Sequence, residues 1–105
     1  MLKLNDVPKM GTFDNVEEND IVITARLFAL GSAAVWLIAE YNPETKIAFG
    51  YADLNGIGRE GGAEWGYISI EELESLKYSI IPQVERDKFF SPQPFKKCLS
   101  PEGRV

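Results

Sequence analysis

Glu40, Asp53 and Glu64 are acidic residues at or near the ends of predicted strands, and Arg86 stands between Glu85 and Asp87. Carboxylates brought into one cleft can do general acid–base work, or ligate Mg²⁺ or Ca²⁺ through oxygen. An arginine beside them could hold an anion. These four residues form the candidate polar site, on the condition that the fold makes them converge. The competing reading pairs Glu40 and Glu64 with Arg26 or Arg59, or leaves them in water, and gives Arg86 a structural salt bridge. The chain contains no D-x-D-x-D-G calcium loop and no nuclease-like acid and lysine spacing. No metal and no cofactor are expected.

Other chemistries are constrained by what the chain lacks. There is no histidine, which removes imidazole-based catalysis and Cys/His zinc sites. The single cysteine, Cys98, has no histidine to activate it and reads as a spectator thiol, with no disulfide framework. Gly56-Ile57-Gly58-Arg59-Glu60-Gly61 matches G-x-G-x-x-G letter for letter. That motif works only where its glycines turn a strand directly into a helix. Here Gly62 and a strand-like Ala63-Glu64-Trp65-Gly66-Tyr67 follow, so the dinucleotide reading is rejected in favour of a surface loop. No residue is assigned a catalytic role. The aromatic residues Trp65, Tyr67, Phe89 and Phe90 form the candidate partner surface, because aromatics dominate binding hot spots. An exposed Phe89-Phe90 pair would be its leading part.

Several elements must position these side chains. Residues 21–28 are rich in β-branched side chains and read as a strand. Residues 34–41 and 47–54 read as two more, joined as an antiparallel hairpin by the turn formers Asn42-Pro43-Glu44-Thr45. On the third strand Ala48, Gly50 and Ala52 share a face that leaves room for a neighbouring aromatic such as Trp36, for a helix, or for a ligand. Residues 65–69 read as a fourth strand. Ser69-Ile70-Glu71-Glu72 is a capping box, with Ile68 and Leu73 placed as a hydrophobic staple, and predicts a short helix over 70–77 with Leu73 and Leu76 inward. Residues 78–90 read as extended chain or an edge strand, since Pro82 opposes a helix. The expected fold is α+β: an antiparallel sheet of about four to five strands with one short helix on one face. Residues 1–19 form a lead-in, 20–92 the domain and 93–105 a flexible tail.

With 105 residues, 45% of them hydrophobic and 26% charged, the chain has globular proportions. Its net charge of −5 argues against nucleic-acid binding. Residues 1–95 carry eight basic and fifteen acidic side chains, and the excess reads as a solvated acidic surface or a face for a basic partner. No apolar run approaches the roughly 20 residues that span a bilayer, so no membrane association and a cytoplasmic location are expected.

Taken in order, Trp36-Leu37-Ile38-Ala39-Glu40-Tyr41, Phe49-Gly50-Tyr51-Ala52-Asp53-Leu54, Ala63-Glu64-Trp65-Gly66-Tyr67-Ile68-Ser69-Ile70-Glu71-Glu72-Leu73 and Val84-Glu85-Arg86-Asp87 resemble the bacterial domain-of-unknown-function 2958 family. The resemblance spans residues 20–92. It implies a small bacterial protein of a plasmid, phage or other mobile element, and it carries no reaction with it. Two functions are expected in competition. The first is a non-catalytic protein-binding module, an inhibitor or accessory protein whose partner is another protein. The alternative is a carboxylate-based enzyme, or a metal- or anion-binding protein, built on Glu40, Asp53, Glu64 and Arg86. The oligomeric state is left open.

Overall fold

In the computed structural model, which describes residues 2–54, 62–78, 81–100 and 105, the β-branched run after Asp20 divides into two strands. They are β1 (Val22–Ile23) and β2 (Ala25–Ala29). The break falls at buried Thr24, whose N–H donates to the Ile38 carbonyl at 2.9 Å. The remaining elements are β3 (Val35–Asn42), β4 (Ile47–Asp53), β5 (Ala63–Ser69), α1 (Ile70–Ser75), β6 (Lys77–Tyr78), β7 (Ile81–Pro82), β8 (Val84–Arg86) and β9 (Gln93–Pro94). Single 3-10 turns cover Glu18–Asp20 and Phe95–Cys98.

The main sheet has five antiparallel strands in the order β5-β4-β3-β2-β8. Two small ribbons, β1-β9 and β6-β7, complete the strand pairing among the described residues. With one short helix this is the expected α+β architecture. The β3–β4 hairpin closes as its turn chemistry predicts. The Asn42 side-chain oxygen accepts from the Glu44 N–H at 2.9 Å, and Lys46 takes the positive φ of 57° that ends the turn. The serine half of the capping box also forms. Ser69 Oγ accepts from the Glu72 N–H at 3.2 Å, and both staple residues, Ile68 and Leu73, are buried. The helix stops at Ser75, two residues earlier than the pattern predicts. Leu76, expected inward, is 48% exposed, because the chain turns there into β6.

Both faces of the sheet are covered. On one, Leu27, Ile38, Ala48, Ile68 and Val84 meet Ile70 and Leu73 of α1, together with Leu4 and Val7 from the lead-in. On the other, Val35, Leu37 and Ala39 meet Ile21, Ile23 and Phe95. Residues 93–98, assigned from sequence to a tail, therefore begin as packed structure. Phe95 is 3% exposed, and its N–H donates to the Ile21 carbonyl. A single aromatic between a proline and two lysines carries no periodic signal of burial. Residues 101–104 of that tail lie outside the described residues, as does the 56–61 glycine stretch.

A β-bulge in β3 shapes the centre of the sheet. Ile38 pairs with Gly50 and Glu40 with Phe49, so Ala39 is the extra residue. The close approach falls on Gly50, where a Cβ would lie 1.9 Å from the Leu37 carbonyl oxygen. The small-residue face of β4 is thus filled from within. Gly50 is pressed by backbone, Ala48 lies in the core shared with α1, and Trp36, paired with Ala52, packs against that core.

Candidate functional site

The bulge also decides where Glu40 points. By register Glu40 stands beside Phe49, on the face carrying Tyr51, Asp53, Trp65 and Tyr67. Its side chain does not open to solvent there. Glu40 is 5% exposed, and its two oxygens accept the backbone N–H groups of Gly11 at 3.0 Å and Phe13 at 2.7 Å. It is a clamp that holds the lead-in on the sheet. Asp53 shares that face at the far end of β4, beside Val35 and Ala63, and is 1% exposed.

Glu64 and Arg86 are elsewhere. Glu64 pairs with Ala52 on β5, points to the helix face, and is exposed. Arg86 lies on β8, at the opposite edge of the sheet. Its guanidinium grips Asp6 through two bonds, 2.7 Å and 2.8 Å, and donates to the Lys3 carbonyl at 2.6 Å. That pairing holds the Asp6 carboxyl below its ordinary range and raises Arg86. The four candidate polar residues are therefore not brought together: two share a face at separate ends of the sheet, and the others occupy opposite edges. The salt-bridge reading holds for Arg86. For Glu40 the partners are backbone donors rather than Arg26, which pairs with Asp87 at 3.3 Å. Among the described residues no group of three Cys, Asp or Glu side chains is placed to hold a metal ion. Cys98 is pushed up to about 11 by burial, which suppresses its thiolate.

The four aromatic candidates divide between the same two edges. Trp65 stacks on Phe49 at 5.6 Å between centroids, meets Tyr51 and Phe95, and donates its indole N–H to Glu18. Tyr67, next along the same face of β5, is 76% exposed. Across the sheet, after β8, Phe90 turns inward against the second core while Phe89 is 94% exposed. Phe89 is held in that position. Its N–H donates to Asp87 Oδ1 at 2.9 Å, and the other Asp87 oxygen is fixed by Arg26.

Beside β8 lies a cavity of about 750 Å³. Its lining mixes both signs of charge, Lys3, Lys77 and Lys88 with Asp6, Glu74 and Glu85, and includes the apolar Val84. Glu74 is itself a tether, accepting from the Leu2 N–H at 2.9 Å and pairing with Lys46. Sequence reasoning did not find Asp6, Glu74 or Asp87. Arg86, Leu2 and Arg26, which they respectively bind, lie 61 to 80 residues away along the chain, and no local pattern encodes such pairings.

A family model described as "Protein of unknown function (DUF2958)" matches residues 6–98. The chain belongs to that family. The match includes Gly11 and Phe13, which Glu40 holds, and Asp6, which Arg86 holds, and it runs through the Phe95–Cys98 turn. No curated protein and no solved structure matches the chain. Among the described residues no helix is long and apolar enough to cross a membrane.

Proposed function

We propose that this chain is a non-catalytic protein-binding module that engages its partner through Phe89 and the charged cavity beside β8. The observation that carries the reading is a fully presented aromatic on a pinned turn. An exposed phenyl ring gains nothing from water, and burying it against a partner is favourable. Because the backbone N–H of Phe89 is already bonded to Asp87, the turn that carries the ring needs little further ordering on docking. The charges of both signs next to it supply a polar rim that selects orientation. The net charge of −5 favours a partner with a basic surface. An inhibitor or accessory protein of a mobile element is one form of this role. Separation of the four polar candidates weighs against the carboxylate-enzyme alternative.

The test compares the wild-type chain with Phe89→Ala in capture from a host lysate, followed by titration of whatever is retained. A hot-spot aromatic is worth about 2 kcal/mol or more, so binding should fall roughly 30-fold. Stability should stay within about 0.5 kcal/mol, because the ring makes almost no contact in the free chain. Failure to find a saturable partner, or equal binding by Phe89→Ala, would overturn the proposal.

A further inference from the structure

The two edges of the main sheet are built differently. β8 has three residues, Val84–Arg86, two of them charged, with Pro82 before it in the sequence and Asp87 and Lys88 after it. Short length, proline and charge are the usual means of blocking an edge from pairing with another chain. β5 has seven residues, no proline, no lysine and a single charge, Glu64. Among the described residues no strand covers its outer side.

The ladder shows which groups that outer side offers. The Leu54 N–H donates to the Gly62 carbonyl, and the Ile70 N–H donates to the Lys46 carbonyl. Hydrogen-bonded pairs in an antiparallel ladder fall on every second residue. Gly62, Glu64, Gly66, Ile68 and Ile70 therefore direct their backbone toward β4, and Ala63, Trp65, Tyr67 and Ser69 direct theirs outward.

We propose that β5 pairs with β5 of a second copy of this chain, antiparallel, about a two-fold axis at Gly66. The segment is self-complementary in that register and runs its full length. Trp65 lies across from Tyr67 of the second copy, and each such pair exchanges two backbone bonds. Gly66 meets Gly66 at a non-hydrogen-bonded position, where two strands come closest; a Cβ there would meet nothing within 4 Å in the free chain. Glu64 faces Ile68, so no like charges stand opposite. Moving the axis to residue 64 would set Glu64 against Glu64 and shorten the overlap. The exposed Tyr67 ring gains an aromatic neighbour on its own face. Since β8 is blocked, assembly stops at two copies, with the Phe89 edges at the two ends of one continuous sheet. This inference does not depend on what Phe89 binds.

The experiment is sedimentation equilibrium of the full chain from micromolar to millimolar concentration. The expected mass rises from 11.8 kDa to twice that value and no further. Tyr67→Pro removes an outward N–H that the β4–β5 ladder does not use, in an edge position where proline is tolerated. It should raise the dimer dissociation constant at least about tenfold. Tyr67→Lys, which keeps the N–H and adds an edge charge, should do the same if the proline variant fails to fold. In a Cys98→Ser background, Gly66→Cys should cross-link to a covalent dimer on mild oxidation far faster than Ser32→Cys, which lies on an exposed turn. A monomer at every concentration, growth beyond a dimer, or a dimer indifferent to Tyr67→Lys and without Gly66→Cys cross-linking would each overturn the proposal.

Discussion

Replacing Glu40 separates a structural clamp from a site residue. The carboxylate accepts two N–H groups, from Gly11 and Phe13, and is 5% exposed. A hydrogen bond to a charged group contributes about 1.5–3 kcal/mol, so two bonds give roughly 3–6 kcal/mol before correction. Gly11 is exposed and Phe13 half-buried, so water can replace part of what is lost. A net cost of about 2–3 kcal/mol for Glu40→Ala is then expected. For a domain near this size each kcal/mol shifts the melting midpoint by about 4–8 °C, so the midpoint should fall by roughly 10–20 °C. Glu40→Gln keeps one acceptor but turns an NH₂ toward the second donor, and should cost about half as much. The assay is thermal and urea unfolding, with amide exchange read at residues 11 and 13, where protection should drop in both variants. Glu64→Gln, on an exposed side chain, is the control and should stay within about 0.5 kcal/mol. A Glu40→Gln chain with unchanged midpoint and unchanged exchange at both amides would refute the clamp.

Three further outcomes follow from the geometry. Gly50→Ala puts a Cβ 1.9 Å from the Leu37 carbonyl oxygen, a backbone atom in the middle of the sheet, and should cost about 3 kcal/mol or more, read as a lowered urea midpoint or insoluble expression. Asp6, whose folded-state carboxyl is held below its ordinary 3.8 by Arg86, adds stability that is full above that value and is lost as pH falls through the lower folded one. Asp6→Asn should flatten the acid side of a stability–pH curve in that window, modestly and less so in high salt, because the pair is largely exposed. Cys98, raised to about 11 by burial, should react slowly with a thiol reagent at neutral pH in the native chain and rapidly in denaturant; equal rates would place the sulfur at the surface.

Local chemistry was legible wherever neighbours in sequence are neighbours in space. Ser69 caps the Glu72 N–H, Asn42 closes the β3–β4 turn, and β-branched runs became strands, because each depends on a few adjacent residues. Beyond the β3–β4 hairpin, the same residues could not say which strand lies beside which, nor that Ala39 would be an extra residue. A one-residue bulge changes the face that Glu40 occupies, and strict alternation cannot reveal it. Arg86 finding Asp6, Asp87 joining Arg26 under Phe89, and Phe95 filling the second core are all long-range contacts. Their energies depend on how the sheet brings distant segments within a few ångströms. Residue type marked Phe89 and Phe90 equally; only packing against the second core turned one inward and left the other exposed.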